Sequence, residues 1–252
     1  MKKFKEWDKK KKIICLVVVL LIVIVAGLVA YKSLSHKTDV TDTTEVTHVK
    51  AKKTKKCPID FQAYWDVNPE VVAYVEVPDT DVSYPILRRA DDAAYYADHQ
   101  IDGTQGLPGS IYIEPINSGE FTDTNTIVYG HNMKNGTMFH TLHNFEDADF
   151  FAQDHEFYIY TPEHRYTYKV FAAGCIDDEH LMAKYNFSTN QGNIDFAIDL
   201  QKLDNSYSHY KEGTEITNDT KLCTLFTCMP SGMENNRFVV VGYLTDTLDY
   251  ED

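Results

Sequence analysis

Three side chains in this 252-residue sequence combine types and settings that could carry acyl-transfer chemistry: Cys228, His131 and Arg237. Cys228 ends the strand-like run KLCTLFTC and is followed by Met-Pro-Ser-Gly, a turn signal, so its thiol falls at a sheet edge facing loops. His131 follows directly on the run TIVYG, and Arg237 leads into FVVVGYL, so each also stands at a strand boundary. With ordinary values of ~8.5 for a thiol and ~6.5 for an imidazole, only about 3% of the thiol is ionised at pH 7. A neighbouring guanidinium enlarges that thiolate fraction, and it can also donate to the oxyanion formed when a carbonyl is attacked. An imidazole within reach supplies and removes the protons.

The remaining cysteines limit other chemistries. Cys15 lies in an apolar run, and Cys57, Cys175 and Cys223 are scattered without the close, even spacing of a disulfide framework. No CxxC is present, and His140-x-x-His143 lacks the further ligands that zinc requires, so no metal and no cofactor is expected. Cys175 and Cys223 read as small buried hydrophobes or as members of a single disulfide, and their pairing is open. No phosphate-binding glycine loop occurs. The formal charge of -14 makes nucleic acid an unfavourable partner.

The elements that must position these residues are mostly strands. VSYPIL, GSIYIE, TIVYG, EFYIYT, RYTYKVFAAG, EITN, KLCTLFTC and FVVVGYL are β-rich runs bounded by Gly, Pro, Asn and Asp, which points to a barrel or sandwich. In KLCTLFTC a period of two places Thr224, Phe226 and Cys228 on one face and Cys223, Leu225 and Thr227 on the other. FQAYWDV and NPEVVAYV read as two short helical turns, the second opened by Asn68 with Pro69 at its first position. Between RYTYKVFAAG and KLCTLFTC runs a long connection, residues 177 to 213. In it Ile194, Ala197, Ile198 and Leu203 recur at roughly helical spacing. A connection of that length has either a functional role or a packing role.

Ahead of this domain the chain changes character three times. Residues 1–12 hold seven lysines against Glu6 and Asp8. Residues 13–30, IICLVVVLLIVIVAGLVA, carry no charge and as a helix span ~27 Å, close to the hydrocarbon thickness of a bilayer. A signal peptide would have a shorter apolar region and a better cleavage site than Leu28-Val29-Ala30 offers, so a single uncleaved transmembrane helix is expected. The lysines before it place the N-terminus in the cytoplasm and everything after residue 30 outside the cell. Residues 31–56 are a polar stalk with too little apolar surface to fold alone. A single folded domain, residues 57–252, begins near Cys57-Pro58.

The run Thr224-Leu225-Phe226-Thr227-Cys228, with Arg237 nine residues on, resembles the TLxTC...R signature of sortases. Tyr129-Gly130-His131-Asn132-Met133, continuing to Met138-Phe139 and Leu142, resembles the corresponding stretch of class B sortases, as do Asn68-Pro69 through Val75 and Ser83-Tyr84-Pro85-Ile86. The likeness covers roughly residues 60–245. It implies a mainly β fold: an eight-stranded sortase-type β-barrel with N-terminal helices and a helix in the long loop before the catalytic strand. It also implies a cysteine transpeptidase that cleaves a C-terminal sorting motif of secreted proteins at Thr. The acyl group would pass through a Cys228 thioester to an amine of cell-wall peptidoglycan or its precursor, with His131 as acid and base and Arg237 beside them. Thr227, Asp92 and Tyr96 then match substrate-contacting positions. Asp92 stands where class B enzymes often have Asn, and Phe226 is bulkier than the Ser common inside the motif, so the sorting motif is left open. Alternatives are a pilin-polymerising sortase, a hydrolytic cysteine protease, and an anchored adhesin with an idle cleft.

Overall fold

Runs such as Thr126-Ile127-Val128 and Val239-Val240-Val241 are apolar at consecutive positions, which suits strands covered on both faces. The computed structural model describes residues 56–251 and bears this out. The basic tail, the apolar run 13–30 and all but the last residue of the stalk lie outside the described residues. Among the described residues no helix is long and apolar enough to cross a membrane.

The strands are β1 (Val71–Glu76), β2 (Ser83–Arg88), β3 (Ile111–Ile113), β4 (Asn125–Tyr129), β5 (Glu156–Tyr160), β6 (His164–Asp177), β7 (His209–Tyr210), β8 (Leu222–Cys228) and β9 (Asn236–Asp249). Their order is β5-β1-β2-β3-β4-β8-β9-β6, and pairing of β6 with β5 closes an eight-stranded barrel. The short β7 adds to β6 through Ala172–Tyr210 and Ala173–His209. The pairs β2–β3 and β4–β8 are parallel, and the rest are antiparallel. Closure leaves no long edge for intermolecular pairing.

Alternate residues of the central strands sort into two apolar clusters. Val128, Cys223, Leu225, Phe238 and Val240 join Ala73, Ile86 and Phe157 inside the barrel. Ile127, Leu222, Val239 and Val241 face outward and are covered by Leu181, Tyr185, Phe187, Phe196, Ala197 and Leu200 of the long connection. That connection carries helices α3 (Leu181–Lys184) and α4 (Asn190–Gln201). Asn193 of α4 is fully buried, and its Nδ2 donates to Thr124 O at 2.8 Å and Thr220 O at 3.1 Å, just ahead of β4 and β8. The cover is thereby fixed to the two strands that lead to the candidate site. Two further helices, α1 (Phe61–Trp65) and α2 (Ala148–Ala152), are each capped by an aspartate, Asp60 and Asp147, whose side chain accepts a first-turn N–H.

Three sequence expectations change. NPEVVAYV is not a second helical turn. Asn68 Oδ1 accepts from Glu70 N at 2.9 Å to close a local turn, and the β-branched run that follows is strand β1, with Val71, Ala73 and Val75 buried in alternation. EITN finds no partner strand and is loop, so the eight barrel strands stand with β1 in its place. Within α4 the buried face is Asn193, Phe196, Ala197 and Leu200, while Ile198 is exposed. The Ile194–Ile198 spacing was an apolar stripe only in sequence.

Barrel closure depends on packing at the β5–β6 seam. Phe157 is fully buried, its ring stacks on Tyr168 at 5.2 Å between centroids, and Gly242 lies so close that a Cβ there would sit 2.6 Å from the Phe157 ring. Phe157→Ala should cost about 3–5 kcal/mol of stability, measured by denaturant unfolding of the purified protein.

Candidate active site

The ends of three strands meet at one rim of the barrel. Parallel pairing sets Tyr129 of β4 opposite Phe226 of β8, so His131 and Cys228, each two residues further on, leave the sheet side by side. Antiparallel pairing sets Arg237 of β9 directly opposite Cys228. Gly130 precedes His131 because a Cβ there would lie 2.4 Å from Ile111 Cδ1 and 2.7 Å from Phe139. The absent side chain lets those two pack beneath the rim.

Cys228 is exposed, whereas Cys175 and Cys223 are buried, Cys57 is half-buried, and all four are free thiols. The open question of a Cys175–Cys223 disulfide is thus closed. Burial pushes the Cys223 thiol far above its ordinary range, and burial with nearby Glu146 pushes Cys175 up. Both therefore hold less thiolate near neutral pH than an ordinary thiol. Among the described residues Cys228 is the one exposed thiol.

His131 Nε2 lies 2.6 Å from Ala97 O. A carbonyl only accepts, so Nε2 carries a proton and Nδ1 is the nitrogen left for proton exchange. Among the described residues no hydrogen bond joins His131 to Cys228, so productive contact requires rotation of the ring or arrival of substrate. Arg237 Nη1 donates to Glu234 O at 2.8 Å and Asn236 O at 2.9 Å, which holds the guanidinium at the base of the β8–β9 turn. These partners are neutral carbonyls, so the guanidinium charge is not cancelled by them and Nη2 and Nε remain to serve a developing oxyanion.

The other expected residues are placed differently. Thr227 is 1% exposed, on the inward face of β8, with its hydroxyl buried and without a partner. Tyr96 is 2% exposed, donates its hydroxyl to Glu70, accepts from Asn68 Nδ2 at 2.9 Å and packs with Phe61, Leu87 and Tyr160. Asp92 is exposed, and its Oδ1 accepts from Ala94 N at 3.0 Å.

Several residues went unassigned in the sequence. Asn132 Nδ2 and His143 Nε2 each lie 3.1 Å from Cys228 O. The histidines of the His140-x-x-His143 pair are committed to Asn132 and Glu146. On the same face of the sheet as Cys228, Tyr112 stacks on Tyr129 and Phe226 meets Tyr129 edge-on, at 5.4 and 5.2 Å between centroids. Burial, with Glu114 and Cys228 adding to it, pushes the Tyr112 phenol up to about 12. Phe226 is therefore part of an aromatic floor, which gives its bulk a packing role. His180, ahead of α3, reaches Glu114 at 2.8 Å and ties the long connection to the end of β3.

Sortase-domain sequences match residues 75–245 of the chain. Sortase B of Listeria monocytogenes is 31% identical over 179 residues, covering 71% of each protein. The chain belongs to the sortase family, in its class B. A sortase B-like protein of Bacillus anthracis has a similar structure, with a TM-score of 0.63 and 28% identity over 79% of this chain and 89% of that one. Sortase B of Clostridium perfringens shares the fold, with a TM-score of 0.62 and 24% identity over 74% of this chain and all of the other. This sortase is accordingly a cysteine transpeptidase with the eight-stranded barrel expected from its motifs.

The role expected of Arg237 can be told apart from its charge by substitution. Lysine preserves the charge but loses the planar fork that can hold the turn carbonyls and an oxyanion together. Arg237→Lys should lower turnover on the order of 100-fold in a folded protein, measured as peptide cleavage alongside a melting curve. A purely electrostatic role predicts a mild defect.

Proposed function

We propose that this sortase cleaves a C-terminal sorting motif of secreted proteins after threonine and transfers the threonyl acyl group to an amine of peptidoglycan or its precursor. The observation that carries this reading is Cys228, the one exposed thiol among the described residues, at the rim where the strand ends also bring His131 and Arg237. In the first half-reaction the Cys228 thiol gives its proton to His131, and the thiolate attacks the threonine carbonyl carbon while Arg237 donates to the oxyanion. Collapse breaks the C–N bond, and His131 gives a proton to the departing amine. In the second half-reaction the incoming amine loses a proton to His131 and attacks the thioester. The C–S bond then breaks and returns the thiolate.

The aromatic floor of Tyr112, Tyr129 and Phe226 lies on the same sheet face as Cys228 and suits an extended peptide with apolar positions. Of the residues expected to touch substrate, Asp92 has the exposure to meet a peptide directly, whereas Thr227 and Tyr96 act through packing beneath the site. The apolar run 13–30 anchors the enzyme in the cell membrane with its N-terminus inside and the catalytic domain outside, where sorting substrates and wall precursors meet.

The full-length protein incubated with a threonine-containing sorting-peptide library and an amine acceptor should yield a new amide between the threonyl fragment and the acceptor. Mass spectrometry reads both the preferred motif and the product. Cys228→Ala should form none. Hydrolysis products alone, at saturating amine, would identify a protease instead. Products joined only to a lysine side chain of a protein acceptor would identify a pilin polymerase.

A further inference from the structure

The carbonyl of Cys228 sits just beyond the regular sheet. On the β4 side the ladder ends with Gly130 N donating to Phe226 O at 3.0 Å. Continued parallel pairing would bring the backbone N–H of residue 132 to Cys228 O. The chain turns away instead, as Phe139 N donates to His131 O at 2.9 Å and Asn132 bridges to Met138. Side chains take over the missing bond. Asn132 Nδ2 reaches Cys228 O at 3.1 Å.

The surrounding cluster directs the amide of Asn132 at Cys228 O. His140 Nδ1 lies 2.7 Å from Asn132 Oδ1 and must donate, which turns the amide nitrogen toward Cys228. His143 Nδ1 donates to the Glu146 carboxylate, and the His143 ring stacks on Phe238 at 4.8 Å between centroids. His143 Nε2 lies 2.9 Å from Asn132 Nδ2 and 3.1 Å from Cys228 O: without a proton it accepts from the amide, and with one it donates to Cys228 O beside the amide. In either state an amide hydrogen of Asn132 is directed at Cys228 O. The cluster is largely enclosed, with His143 13% exposed and Glu146 24% exposed at the side chain, so its bonds are little weakened by competing water.

We propose that Asn132, oriented by His140 and by the Glu146–His143 pair, is a positioning residue that holds the Cys228 carbonyl and thereby the direction in which the Cys228 sulfur leaves the strand. This rests on the reading of Cys228 as the nucleophile. The amide replaces one rung of the ladder at the position where the backbone must open to admit substrate. A thiol aimed a fraction of an ångström off the carbonyl trajectory loses turnover without losing its reactivity toward a small reagent.

The test compares Asn132→Ala, Asn132→Asp and Glu146→Gln in the full-length protein by turnover of a cleaved sorting peptide, alkylation of Cys228 by iodoacetamide, and thermal melting. Asn132→Asp keeps the shape and the acceptor for His140 but has no N–H for Cys228 O. Both Asn132 variants should lose about 10- to 100-fold in kcat with KM within about twofold, while Cys228 alkylates at close to the parent rate. Glu146→Gln, which replaces the charged acceptor at His143 Nδ1 with a neutral amide, should lower kcat in the same direction by a smaller factor. Near-parent kcat in folded Asn132→Asp would overturn the proposal. So would equal loss of turnover and alkylation, or unfolding of both Asn132 variants at the assay temperature, since each assigns the residue to general structure. Unchanged kcat in Glu146→Gln would remove the pair from the device. Failure of the underlying reading shows separately, as a Cys228→Ala protein that still turns over.

Discussion

Strand β8 is hydrogen-bonded on both sides, parallel to β4 and antiparallel to β9, and the candidate active site depends on the register of those two ladders. They bring Cys228, His131 and Arg237 to a single rim although His131 lies about a hundred positions from the other two in sequence. A slip of one residue in β8 would exchange its faces, turning Cys228 inward and Cys223 outward. The apolar surfaces forbid that slip. Leu225 is fully buried inside the barrel and Leu222 is buried under the long connection, so a slip would exchange the side chains that fill the two packed faces and fit neither.

The chemistry gains from the contrast between strand and rim. Within β8 the buried Cys223 thiol is held neutral, whereas five residues later Cys228 emerges into solvent beside a guanidinium that is bonded only to turn carbonyls. Access to solvent therefore differs with position along one strand. The same logic applies to the histidines. His131 and His140 each have one ring nitrogen engaged, by Ala97 O and Asn132 Oδ1, whereas both nitrogens of His143 have partners. What sets His131 apart is its place at the end of β4, two residues beyond the Tyr129–Phe226 pair as Cys228 is on β8.

Much of this was legible in the sequence because strand ends carry strong local signals. Cys228 before Met-Pro-Ser-Gly and His131 after TIVYG announce both the strand and its boundary. The helix of the long connection was legible as a helix, but its buried face was not, since Asn193 is buried by hydrogen bonds to Thr124 and Thr220 that no hydropathy pattern encodes. Strand β1 was misread because Asn68-Pro69 serves equally as a helix start and as a turn into a strand, and the choice was made by pairing with β2 and β5. The Asn132–His143–Glu146 cluster was visible only as a truncated metal motif. Its meaning comes from Cys228 O, 96 residues from Asn132, which only the fold brings near. Tyr96 illustrates the reverse case: a family-like position whose side chain is enclosed by Glu70 and Asn68.

The central claim is that acyl transfer runs through the Cys228 sulfur, and a trapped intermediate tests it most directly. The full-length enzyme would be mixed with a cleavable sorting peptide in the absence of any acceptor amine, quenched in acid, digested and mapped by mass spectrometry. The account predicts the threonyl fragment attached to the peptide containing Cys228 and released by hydroxylamine, with Cys57, Cys175 and Cys223 unmodified. Cleavage with the fragment on another cysteine, or continued turnover with Cys228 never acylated, would contradict it.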